Sequence, residues 1–281
     1  MQKQRITARQ LEAFRLHLTE EERSPGTVEK YLRDLRAFLA WLDGGAVVPE
    51  SAAQWKAALL EAGYAPVTIN AKLAAVNKFF LFAGWPACRA KPLRIQRRLF
   101  RDDRRELSRA EYDRLLAAAR TQHRQRLALL LESICSTGIR VSEVRYLTVE
   151  AARQGRAEIR LKGKIRTILL PGPLCRKLLR YAGANEIASG EIFLTRGGRG
   201  LSRKQIWAEM KALCAAAGVL PSKVFPHNLR HLFARTFYRV CGDLVQLADV
   251  LGHSSVETTR IYLVTTGLEH VKSLERMGLV T

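Results

Sequence analysis

Acidic residues are scarce in this chain. Of its 281 residues only 26 are Asp or Glu, against 47 Lys and Arg, so the formal charge is +21 and the pI about 10.4. Such a deficit argues for a polyanionic partner, most often nucleic acid, bound with release of counterions. A ribosomal or generally adhesive basic protein would share that composition. Cysteine is sparse too: Cys88, Cys135, Cys175, Cys214 and Cys241 lie far apart and form no CxxC pair. This argues against structural zinc and against a disulfide framework, and predicts reduced, buried thiols in a cytoplasmic, nucleoid-associated protein. The start, MQKQRITARQ, has no apolar segment of the kind a leader needs, and no run approaches the roughly 18 apolar residues of a membrane span. There are no internal repeats and no low-complexity tract. What is present is a chain 47% hydrophobic, rich enough for a packed core and long enough for two domains.

The charge is unevenly spread. Residues 1–88 hold 11 basic and 9 acidic residues, 89–105 hold 8 and 2, and 106–281 hold 28 and 15. The short middle block, RAKPLRIQRRLFRDDRR, contains Pro92 and little helical periodicity. It reads as an interdomain linker whose cations, Arg97 and Arg98 among them, need an anion nearby. Before it the pattern is all helical: a helix capped by Thr7, a second capped by Thr27 with Tyr31, Leu32, Leu35, Phe38, Leu39 and Leu42 on one side, a shorter one over 52–61, and a fourth starting at Thr68. Lys30, Arg33, Lys72 and Lys78 fall on or near outer faces, as phosphate contacts or as merely solvated cations. After the linker come helices near 109–119, 124–136, 173–182, 202–217, 227–241 and 243–251. Two short β-like runs, 157–162 and 166–170, flank Gly163-Lys164. Arg196-Gly197-Gly198-Arg199-Gly200 reads as a flexible basic loop. The class is mainly α, with a helical N-terminal domain and an α+β C-terminal domain holding a small antiparallel sheet.

One stretch, HNLRHLFARTFYRVCGDLVQLADVLGHSSVETTRIYL, carries phosphate-gripping side chains at fixed spacing. His227 and Arg230, three apart, share one helix face; His253 follows in an LGHSS turn and Tyr262 nine residues later. Cleaving a phosphodiester without metal needs a nucleophile, positive charge on the non-bridging oxygens and a proton for the leaving alkoxide. Arg140 and Arg230 suit the second task because a guanidinium grips two oxygens at once. Lys162 suits the third, His253 can donate to a phosphoryl oxygen, and Tyr262, with an ordinary pKa near 10, needs a base or a cationic site such as His227 and the arginines supply. Singly these signals also fit core or surface residues; the ordered set is what is specific.

That set resembles the tyrosine recombinases, also called the phage-integrase family, through TGIRVSEVRYL (137–147), KGKIRTILLP (162–171), FPHNLRH (225–231) and LGHSSVETTRIYL (251–263), with FLTRGGRGLSRKQIW (193–207) before the His-x-x-Arg helix. Residues 1–88, with SPGTVEKYLRDLRAFLAWL, resemble the family's core-binding domain, so the resemblance spans the chain. It implies that Tyr262 attacks the scissile phosphate to form a 3′-phosphotyrosine, that Arg140 and Arg230 hold the phosphate, that Lys162 protonates the leaving oxygen, and that His227 and His253 assist. Glu143 would orient Arg140, unless it is an ordinary helix-start acid. The hairpin turn is one residue shorter than the usual pattern, leaving Lys164 as an alternative acid. No ATP, metal or other cofactor is implied.

The resemblance further implies a site-specific recombinase working as a homo-tetramer on two duplex DNA sites, with 1–88 and 106–281 clamped on DNA through the 89–105 linker. Base reading would fall to the fourth helix, near Asn70–Lys78, and to the 202–217 helix with Arg203 and Lys204. A tail over 263–281, with an apolar stripe of Leu268, Val271 and Leu274, would dock on a neighbouring subunit or on its own domain. The chain is expected to begin almost at the core-binding domain, as in compact Xer-type or integron- and transposon-type enzymes. A type IB-like relaxing enzyme and a catalytically silent regulator are the rivals.

Overall fold

The structure, a computed structural model, describes residues 4–95, 105–161, 164–253, 255–262 and 275–277; for 160, 161, 164 and 165 it describes the backbone alone. Lys162, Arg97, Arg98 and the stripe Leu268, Val271 and Leu274 lie outside the described residues. The chain divides into two units, Met1–Arg97 and Arg98–Thr281, each with its own buried core.

The first unit contains α1 (Ala8–Glu20), α2 (Pro25–Leu42), α3 (Ser51–Glu61) and α4 (Pro66–Phe82). Thr7 caps α1 as expected, in a reciprocal box with Gln10. Thr27 and Thr68 cap nothing: α2 and α4 begin earlier, at Pro25 and Pro66. Proline suits the first helical position, where no amide partner is needed and its fixed φ is already helical. An aromatic core fuses the helices, with Phe14 edge-on to Phe79 at 5.3 Å and Phe38 edge-on to Trp55 at 5.2 Å. The segment expected to open the linker is pinned to α4 instead. Asn70 donates to the Leu93 carbonyl at 2.9 Å and accepts from its amide at 2.8 Å. Asn77 does the same to Ala90, at 2.8 and 3.0 Å. The two asparagines, seven apart and therefore on one face, are thus occupied by their own backbone.

The second unit is built on α6 (Gln125–Thr137), whose Leu127, Leu130, Leu131 and Ile134 are fully buried. Around it lie α5 (Arg109–Thr121), α7 (Val149–Gln154), α8 (Gly172–Ala184), α9 (Arg203–Lys211), α10 (Cys214–Ala217), α11 (Pro226–Cys241), α12 (Leu244–Leu251) and α13 (Val256–Arg260). The expected 202–217 helix is broken at 212–213 into α9 and α10, and 141–146 is a 3-10 turn. β1 (Arg156–Leu161) and β2 (Lys164–Leu169) pair antiparallel with Leu161 opposite Lys164. Ala157, Ile159 and Ile168 face the core while Leu169 is exposed. The basic loop near 196–200 is a closed turn, with Leu194 bridged to Gly200 and the Thr195 amide donating to the Arg199 carbonyl at 2.7 Å. All five cysteines are free; Cys88, Cys175 and Cys214 are buried and Cys135, in α6, is partly so, but Cys241, the last residue of α11, is exposed.

Candidate active site

The site begins where α6 ends. Gly138 closes that helix in the left-handed region (φ 63°), and a Cβ there would run into the Phe233 ring of α11. Glycine therefore lets the chain turn and lets α11 approach. Its carbonyl accepts from Arg230 Nη1, and two residues on comes Arg140. Glu143, almost wholly buried, accepts from the Arg140 backbone amide and from its Nη1, both at 2.9 Å. Arg140 is thereby tethered at its base while its side chain remains 41% exposed.

Arg230 is 2% exposed, and α11 delivers it from below. Its Nη2 donates to the Leu251 carbonyl at 2.9 Å and to His253 Nε2 at 3.0 Å, and its Nε to the Tyr262 hydroxyl at 3.4 Å. Since arginine only donates, His253 Nε2 must be the unprotonated nitrogen. Nδ1 then carries the proton and donates to Thr259 Oγ1 at 2.8 Å. Burial, then the arginines at 230, 140 and 166, push the His253 pKa down to about 4 and keep it neutral. In this arrangement His253 accepts from Arg230; donation to a phosphoryl oxygen needs Arg230 to turn away first.

Tyr262 is 2% exposed and packs on Ala234, Leu247 and Leu251. His253 lies stacked on it at 5.7 Å. His227, on the first turn of α11, remains partly exposed, with its ring 4.5 Å from that of His231 and 6.0 Å from that of Tyr262. Partial burial and the Arg230 charge lower its pKa. Arg140, Glu143, His227, Arg230, His253 and Tyr262 are thus brought together. The backbone of Lys164 is the first residue of β2, with its side chain outside the described residues, as is all of Lys162.

Two further residues join them. Arg166, on β2, reaches Glu143 Oε2 with Nη1 at 3.4 Å and donates from Nη2 to the Val250 carbonyl at 2.9 Å. Burial and the Arg230 and Arg140 charges lower its pKa to about 10. A signal was available in the sequence: Arg166 shares the inward strand face with Ile168, where a cation needs a reason to be. His231 sits edge-on to Tyr262 at 4.5 Å and reaches Glu106 at 3.6 Å. One turn after His227, it offered no pattern to separate it from a core histidine. Three guanidiniums around one carboxylate leave an excess of positive charge suited to a phosphate.

The expected DNA contacts fare differently. Lys30, Arg33 and Lys72 surround the buried Asp34 at 3.3, 3.5 and 3.9 Å, and Lys78 pairs with Glu21. Lys72 is largely covered rather than on an outer face, lying over the Trp55 and Tyr64 rings. Arg203 and Lys204 are exposed on the first turn of α9. Among the described residues there is no cluster of three metal-ligating side chains and no helix long and apolar enough to cross a membrane.

Known proteins resemble this chain in sequence and in fold. Residues 105–267 match the profile of the Phage integrase family, and residues 11–86 that of the Phage integrase, N-terminal SAM-like domain. The chain is 31% identical to tyrosine recombinase XerA of Thermococcus kodakarensis, over 96% of this chain and 95% of that one. It is 32% identical to tyrosine recombinase XerC of Roseiflexus castenholzii, over 94% and 90%. A lambda integrase tetramer bound to a Holliday junction shares the fold at TM-score 0.72 and 17% identity, over 90% of this chain and 76% of that one.

Proposed function

Because the chain belongs to the phage integrase family of tyrosine recombinases, we propose that Tyr262 is the nucleophile with which this site-specific recombinase cuts and rejoins DNA. The observation that carries this assignment is the Tyr262 hydroxyl 3.4 Å from Arg230 Nε, in a pocket walled by His227, His231 and His253. Attack on phosphorus forms the 3′-phosphotyrosine and releases a 5′-hydroxyl. Arg140 and Arg230 hold the non-bridging oxygens, Lys162 protonates the leaving oxygen, and His227 serves the tyrosine proton. Because the phosphoester energy is kept in the covalent link, a second strand's 5′-hydroxyl reverses the attack and makes a new junction.

With Tyr262 covered and the Arg230 donors on protein acceptors, a phosphate enters only as the end of α12 and α13 shift. Arg230 exchanges the Leu251 carbonyl and His253 for phosphate oxygens; His253 then donates from Nε2 in its other tautomer, with the Thr259 hydroxyl turned to donate to Nδ1. Four copies on two DNA sites carry out the exchange, with Arg203 and Lys204 of α9 among the groups facing DNA. The test is covalent trapping on a nicked duplex carrying the protein's own site, recovered as DNA bound by Tyr262→Phe. Wild type should form the adduct; Tyr262→Phe should bind and form none. Equal adduct from both would refute the assignment. New junctions rather than relaxed topoisomers separate recombination from relaxation, and a pair of inverted half-sites in the recovered DNA supports the tetramer.

A further inference from the structure

Arg166 is a cation in an unfavourable place. It points inward from β2, its side chain is mostly covered, and its nearest charged neighbours include two other arginines. Burying a cation beside cations is costly unless specific partners hold it. Those partners lie on two separate elements. One is Glu143, whose Oε2 it reaches at 3.4 Å and whose two oxygens also fix Arg140. The other is the Val250 carbonyl, accepted at 2.9 Å in the last turn of α12. The next carbonyl along, Leu251, is held by Arg230. Two guanidiniums therefore grip successive carbonyls at a helix C-terminus, where cations are favoured by the dipole. The chain then turns through Gly252, in the left-handed region at φ 63°, into His253. A Cβ at Gly252 would run into Arg166 Cδ and Nε, so the arginine stem lies flat against the turn.

We propose that Arg166 is a positioning residue that bridges Glu143 to the end of α12 and so sets the Arg140 guanidinium and the His253 turn in register with each other. It acts through Glu143 and the α12 backbone and does not itself contact the phosphate. The role rests on the assignment of Arg140, Arg230, His253 and Tyr262 to strand cleavage. A planar guanidinium spans two acceptors on different elements; a lysine ammonium, a single point, keeps the charge but not the bridge. Loss of the bridge leaves the site assembled but out of register, a fault felt in the chemical step more than in DNA binding.

The test is a double-mutant cycle on single-turnover adduct formation, using a nicked duplex carrying the protein's site at saturating protein. Arg166→Gln should slow the adduct about 10–100-fold, the range a misplacement near 1 Å produces. Its DNA Kd should change less than about 3-fold. Glu143→Gln should be slow too, and the double variant no more than about 3-fold slower than the slower single, because both break one bridge. Arg166→Lys, which keeps the charge and so guards against a folding defect, should stay within about 3-fold of Arg166→Gln. Losses that multiply in the double variant, or recovery of wild-type rate by Arg166→Lys, overturn the bridging role while leaving the nucleophile intact. An adduct absent from wild type overturns the nucleophile assignment and this role with it.

Discussion

At the scale of single residues, the protonation of His253 and the backbone at Gly138 make separate predictions. His253 is neutral in the folded protein, with its pKa lowered to about 4 from the ordinary 6.5. Between those values the unfolded chain takes up a proton that the folded chain refuses. Stability is therefore fully present above pH 6.5, falls as pH drops toward 4, and levels off below it. His227, also lowered, adds in the same direction. Thermal midpoints measured from pH 7.5 to 4 should fall more steeply for wild type than for His253→Asn; parallel curves would remove His253 as the cause. Gly138→Ala should cost about 2–4 kcal/mol, from the left-handed backbone and from the Phe233 ring that the new methyl displaces. A urea midpoint lowered at unchanged slope is the expected result, and an unshifted midpoint contradicts the close approach of α6 and α11.

At the scale of elements, the face of α4 that carries Asn70 and Asn77 acts as a clip for residues 90–93. Asn70→Ala removes both bonds to Leu93 and should destabilise the first unit by about 1–3 kcal/mol. Hydrogen exchange should show the local signature, with faster exchange at the Leu93 amide while the amides in the middle of α2 keep their protection. Unchanged exchange at Leu93 would mean the clip does not hold that segment. Element boundaries are less legible in the sequence than the elements themselves. Two short β-like runs around Gly163-Lys164 located β1 and β2, and richness in leucine located α6. The starts of α2 and α4 were displaced because a threonine near a helix start looks like a cap whether or not a proline before it has already begun the helix. The break at 212–213 has no proline or glycine to announce it.

At the scale of the whole molecule, +21 charges on one chain make binding to duplex DNA an ion-exchange process. If about 6–10 phosphates are neutralised, affinity should fall by roughly 10³–10⁵ between 50 and 200 mM salt. Fluorescence anisotropy with a labelled duplex measures that slope, and a flat response would refute a backbone-gripping mode. Part of the charge is committed inside the protein: Asp34 holds three cations and Glu143 two. The slope therefore reflects the cations left exposed rather than the formal total.

The sequence by itself determined the chemistry. Side-chain type and spacing put His227 and Arg230 on one helical face, His253 in a turn and Tyr262 just beyond it, because helical periodicity is a local property. Composition fixed the polyanionic partner, since charge is additive along a chain. Only the tertiary structure decided that Arg166 and His231 join the site, that Glu143 anchors two arginines rather than one, and that Asn70 and Asn77 are occupied by their own backbone. It alone decided that Tyr262 lies covered, with its hydroxyl on Arg230. Those outcomes depend on contacts between residues distant in sequence, as between Arg166 and Val250, 84 positions apart. Such pairs are set by how helices and a hairpin pack, and no local spacing encodes them.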